Sequence, residues 1–140
     1  NKKVLIEKVP FLGICLGMQV LSSYGEESGG EKGLGWLGAE VRKMKPNLGV
    51  TKIPNIGWEP VVSCRPNALF SEGRLEQDFY FVHSYHMICE DELDMTSYYF
   101  MEGRKIVSSV QKENIFGVQF HPEKSSSNGM DLLMNFLRYK

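Results

Sequence analysis

The sequence predicts an α/β domain: a mixed, mostly parallel central sheet with helices on both faces. Three observations carry that expectation. The run PFLGIC (10–15) is apolar at nearly every position, as in a strand buried on both faces. The tail GMDLLMNFLRYK places Met130, Leu133, Met134 and Leu137 at helical spacing. Between them lie several short alternating runs bounded by Gly, Pro and Asn, which read as strands and turns.

Taken in order, NKKVLIEK (1–8) reads as the end of an amphipathic helix, which Pro10 blocks. PFLGIC is the first strand. MQVLSSY (18–24) has helical spacing of Met18, Leu21 and Tyr24, so a helix begins just past Cys15. Residues 25–35 hold five glycines and are a loop. GAEVRKM (38–44) alternates like a strand, and residues 45–55, with two prolines and two asparagines, form a second loop. Further strands are expected at 57–62, 79–83, 95–100, 105–111 and 115–120, and the C-terminal helix packs last.

With 140 residues the chain is long enough for one domain with a real core. A net charge of -1 gives no electrostatic footprint for nucleic acid or an anionic membrane. No apolar run is long enough to span a bilayer. Cys15, Cys64 and Cys89 are odd in number and far apart. That argues against a disulfide framework and for a reducing, cytoplasmic setting.

The chemistry-bearing candidate is GICLGMQ (13–19), where a strand meets Gly-x-Cys-x-Gly and then a helix. This is the cysteine form of a nucleophile elbow. The flanking glycines relieve crowding at a sharp turn. The helix start favours thiolate, and the Leu16 amide is placed to donate to an oxyanion. The competing reading is a small buried thiol. IFGVQFHPEKS (115–125) supplies a base: a strand delivers His121, Pro122 keeps the chain extended, and Glu123 can accept from the imidazole. HSYHMIC (83–89) has metal-like spacing, but an extended chain turns His86 away from His83 and Cys89, and no second ligand cluster accompanies them. No metal or cofactor is expected. The glycines at 29–30 and 33–38 fit neither dinucleotide nor P-loop spacing.

GICLGMQ, VHSY and GVQFHPEKS, in this order, resemble the class I (triad) glutamine amidotransferases. With GLGW and KIPNIGW they are most similar to the glutaminase subunit of imidazole glycerol phosphate synthase, over about Pro10 to Leu137. The resemblance implies that Cys15 attacks the carboxamide of L-glutamine, His121 moves protons and Glu123 orients His121. It implies that Gln19, Ser84 and Tyr85 hold the substrate. Ammonia would pass to a synthase partner, a (β/α)8 barrel of histidine biosynthesis, in a heterodimer whose interface includes Lys124, Trp58 and Tyr80. Asn55 stands where that subfamily has His in its P-H-x-G-W segment. In relatives several strands and helices precede the cysteine, so the chain is expected to be an N-terminally incomplete piece that lacks the second oxyanion donor. Two other readings remain: a paralogue serving sugar amidation for surface polysaccharides, and an inactive truncated binding module. A cysteine protease shares the Cys–His logic, but KIPNIGW and HSY favour the amidotransferase.

Overall fold

A computed structural model describes residues 1–47, 49–70 and 72–140. After a five-residue π-helical turn, Lys2–Ile6, the chain forms β1 (Phe11–Ile14), α1 (Leu16–Gln19), β2 (Tyr24–Gly25), β3 (Glu31–Lys32) and β4 (Ala39–Lys43). It continues through β5 (Asn55–Ser63), β6 (Glu76–His83), β7 (Tyr85–Cys89), β8 (Met95–Met101), β9 (Arg104–Lys112), β10 (Ile115–Val118) and α2 (Ser126–Arg138). Among the described residues these strands form a six-stranded sheet, ordered β1-β10-β9-β8-β5-β6, and a four-stranded sheet, ordered β3-β2-β4-β7.

The mixed α/β class holds, with one correction. Only β1–β10 and β2–β4 pair in parallel among the described strands, and the other pairings are antiparallel. The reason lies in the connections. Those joining the paired strands β2 and β3, β8 and β9, and β9 and β10 are too short for a parallel crossover, which needs a dozen or more residues.

Alternation along β1 and β10 sorts the core into two layers. Leu12, Ile14, Phe116 and Val118 face a cluster that includes Leu132 of α2. Phe11 and Ile115 face the other way, toward Met18 and Leu21. A Cβ on Gly117 would press into Met18, so α1 covers this second face. Helices therefore cover both faces of the β1–β10 pair, and β1 is packed on both sides, as its unbroken apolar run implies.

Two helical expectations shorten. The N-terminal segment is one exposed turn with no buried residue. The helix expected over MQVLSSY ends after one turn because its free carbonyls are taken elsewhere. Leu34 N–H donates to the Val20 carbonyl, while Trp36 and Leu37 N–H donate to that of Leu21. The Ser22 hydroxyl donates to the carbonyl of Gln19 at 2.7 Å. Of HSYHMIC, Tyr85–Cys89 forms β7, while His83 ends β6 and Ser84 is a bend between the two strands. No helix among the described residues is long and apolar enough to cross a membrane.

Candidate active site

The parallel pairing of β1 with β10 sets up the site. Ile14 lies in register with Val118, and Cys15 N–H donates to the Val118 carbonyl at 2.8 Å. Both strands therefore end at one edge of the sheet, where Cys15 follows one and His121 the other. β6, at the far edge of the same sheet, curls round to meet them. The Cys15 Sγ lies 3.9 Å from the Val82 carbonyl, and His121 N–H donates to the Tyr80 carbonyl at 2.9 Å. Carbonyls two residues apart on a strand point the same way and lie roughly 7 Å apart. The two anchors on β6 thus hold Cys15 and the His121 backbone as neighbours.

Cys15 has φ +53° and ψ -110°, a conformation that non-glycine residues rarely adopt. The turn lifts the thiol off the sheet into a cavity of about 280 Å³ lined by Cys15, Leu16, Gln19, Glu27, Ser84 and Tyr85, with Pro54, Val82 and His83. A larger cleft of about 380 Å³ between Ser63 and Leu75 contains none of the expected catalytic residues. The two glycines of the elbow are not equivalent. A Cβ on Gly13 would lie 2.3 Å from the Gly17 carbonyl oxygen, whereas one on Gly17 would meet open space. Gly13 is required by the close approach of strand to turn.

The electrostatics differ from the sequence expectation. α1 has four residues and so only a small dipole. Burial pushes the Cys15 thiol pKa up, and the charges of Glu123 and Glu27 push it further. The Leu16 N–H and the Gln119 amide act against them and favour thiolate. The first N–H of α1 and the Gln119 amide, rather than the dipole of a long helix, provide the stabilisation. Burial also raises the other two thiols, Cys64 and Cys89, the latter to about 12, and all three cysteines are free.

His121 Nδ1 bonds Glu123 Oε1 at 2.7 Å. The expected extended His-Pro-Glu segment is instead a tight turn, Pro122–Lys124, which brings the carboxylate back to the ring. Ser125 fixes that turn: its hydroxyl donates to the His121 carbonyl at 2.6 Å and accepts from Tyr80 N–H at 3.0 Å. α2 packs so closely on it that a Cβ on Gly129 would overlap the Pro122 carbonyl. Trp58 and Tyr80 pair across β5 and β6 with ring centroids 5.9 Å apart, and the turn bearing exposed Lys124 sits beside Tyr80.

Behind the cavity lies a polar network that the sequence does not announce. Gln119, fully buried, directs Nε2 at Cys15 Sγ over 3.8 Å and accepts from Gln19 Nε2 at 3.0 Å. Gln19 Nε2 also donates to the Tyr85 carbonyl at 3.2 Å. His83 Nδ1 meets the same carbonyl at 2.7 Å, and its Nε2 meets the Tyr99 hydroxyl at 2.9 Å. Asn55 closes the chain, donating from Nδ2 to that hydroxyl at 3.1 Å. Gln119 was detectable in principle, since it lies two residues before His121 in the same motif. His83 is committed to structure, and among the described residues no group of three or more His, Cys, Asp or Glu is placed to hold a metal.

The glutamine amidotransferase class-I family profile matches residues 1–139. This chain belongs to that family. Among curated proteins it is 49% identical over 141 residues to imidazole glycerol phosphate synthase subunit HisH 2 of Methanococcus maripaludis, covering 99% of this chain and 67% of that protein. It is 47% identical to subunit HisH of Pyrococcus furiosus, covering 98% of this chain and 71% of that one. Subunit HisH of Leptospira interrogans is 43% identical, with 95% and 65% covered. The chain thus spans about two thirds of the length of such relatives. The fold is also that of a putative GMP synthase protein from Thermoplasma acidophilum, with TM-score 0.67 and 24% identity over 94% of this chain and 58% of that one. A glutamine amidotransferase from Thermotoga maritima superimposes with TM-score 0.64 at 22% identity, covering 97% of this chain and 50% of that one.

Proposed function

We propose that this site hydrolyses the side-chain amide of L-glutamine to glutamate and ammonia. The observation that carries the reading is the strained Cys15 turn at a cavity, with the His121–Glu123 pair on the neighbouring strand end. Glu123 accepts from Nδ1–H of His121, so Nε2 is the ring atom free to exchange protons at the reaction centre.

Nε2 of His121 takes the proton of the Cys15 thiol, and the thiolate so formed attacks the carboxamide carbon. The oxyanion that forms faces the Leu16 N–H, the donor next to the nucleophile. His121 protonates the leaving nitrogen as the C–N bond breaks, giving ammonia and a glutamyl thioester. Water, deprotonated by His121, then attacks the thioester. Glutamate leaves and the thiolate returns. Around the cavity the Glu27 carboxylate suits an α-ammonium. The Ser84 and Tyr85 carbonyls are already engaged, by Met44 N–H and by Gln19 with His83, so that segment offers its donor side to an α-carboxylate.

The ammonia is passed, in this reading, to a (β/α)8-barrel synthase that forms imidazole glycerol phosphate. What supports that recipient is the naming of the similar curated proteins as subunits of imidazole glycerol phosphate synthase. The docking face would be the Trp58–Tyr80–Lys124 corner, directly behind the His121 turn. The test is ammonia release from glutamine with and without the barrel subunit of a similar synthase. Release should rise with the barrel and vanish in Cys15→Ala. Undiminished release from Cys15→Ala would overturn the mechanism, and an absence of any barrel effect would overturn the recipient.

A further inference from the structure

We propose that Gln119 is a positioning residue of this site, a buried amide that locks the Gln19 side chain and aims its own N–H at the Cys15 sulfur. The inference rests on the reading of Cys15 as nucleophile. It follows from the polarity of one hydrogen-bond chain.

A backbone carbonyl can only accept. The Tyr85 carbonyl meets the Gln19 amide at 3.2 Å, so the group there is the Gln19 nitrogen. That nitrogen has a second hydrogen, and the group 3.0 Å from it on Gln119 must then be the oxygen. The Gln119 nitrogen is left facing the other way, 3.8 Å from Cys15 Sγ. Two amides whose orientation would otherwise be ambiguous are fixed by one carbonyl. Turning Gln119 over would set two NH2 groups against each other and an oxygen against the thiolate.

Each end of the chain is held. Gln119 is fully buried, and its backbone N–H donates to the Ser108 carbonyl at 2.8 Å. At the far end His83, held by the Tyr99 hydroxyl, presses its Nδ1–H on the same Tyr85 carbonyl. Two consequences follow. The sulfur has a fixed donor inside the protein, and Gln19 turns its Oε1, the acceptor end, away from the chain. A substrate donor, not an acceptor, is what Gln19 can then bind.

The charges that bear on Cys15 are Glu123, paired with His121 on the turn after β10, and Glu27 on the segment between β2 and β3; His83 and Tyr85 are the other titratable side chains lining its cavity. Gln119→Met leaves these charges in place while removing the amide from the sulfur. The experiment measures alkylation of Cys15 by iodoacetamide across neutral to alkaline pH, read by peptide mapping, in the wild type, Gln119→Met and Gln19→Met. In Gln119→Met the thiolate titration should move up in pH, slowing alkylation at neutral pH by about three- to tenfold. Gln19→Met, at a half-exposed position, unlocks the Gln119 amide without deleting it. It should give a smaller shift in the same direction.

A folded Gln119→Met protein with the wild-type profile would overturn the assignment. If that variant does not fold, an unshifted profile in Gln19→Met overturns it instead. Ammonia release by Cys15→Ala, assayed in parallel, separates the two readings. Continued release removes the nucleophile, whereas Cys15-dependent release with an unshifted profile removes only the role of Gln119.

Discussion

Acid should unfold this protein in part through His83, a residue outside the catalytic chemistry. Its imidazole is buried between Phe81 and Tyr99, with both nitrogens engaged. Burial is the main cause that holds its pKa down at about 4, against an ordinary 6.5, and nearby His86 adds to the effect. Between those two values the unfolded chain takes up a proton that the folded protein refuses. The stability tied to neutral His83 is therefore fully present above about pH 6.5 and is lost as the pH falls toward 4. At roughly 1.4 kcal/mol per pH unit the total loss is about 3 kcal/mol, a large share of the stability of a domain this size. Urea unfolding followed by tryptophan fluorescence at a series of pH values measures it. His83→Gln, which does not titrate, should start less stable but fall less steeply over that window, by about the same 3 kcal/mol. Parallel pH profiles for the wild type and His83→Gln would refute the reasoning.

The glycines beside Cys15 make a contrasting pair. Gly13→Ala forces a Cβ against the backbone of Gly17 and should cost at least about 2 kcal/mol while abolishing labelling of Cys15. Gly17→Ala meets open space and should label normally, with both read by thermal unfolding and thiol labelling. Glu123→Gln removes the charged acceptor from His121 Nδ1 and should lower kcat for ammonia release about 10²-fold with KM little changed, as steady-state kinetics would show.

Much of the fold is legible in the sequence, and the exceptions have physical causes. The apolar run PFLGIC and the helical spacing of the tail place β1 and α2 because burial on two faces and burial on one stripe leave different patterns. The MQVLSSY helix is shorter than its spacing suggests because the carbonyls that would extend it are claimed by residues 34–37, partners invisible to local spacing. The antiparallel pairing of β2–β3, β8–β9 and β9–β10 follows from their short connections rather than from strand composition. In the site, Cys15, His121 and Glu123 are readable because each sits at a strand end or turn with a recognisable neighbour. Gln119 and His83 are not. Their roles depend on which atoms face each other across four strands and a helix, and no period in the sequence records that.

The central claim, that Cys15 carries a glutamyl group during turnover, can be tested directly. The protein is mixed with glutamine, quenched in acid within the turnover time, and its intact mass and peptides are measured. A thioester at Cys15 predicts a population heavier by one glutamyl group, mapped to that residue, which collapses on treatment with hydroxylamine and is absent in Cys15→Ala. Ammonia release with no such adduct at Cys15 under any quench time, or an adduct on another residue, would contradict it.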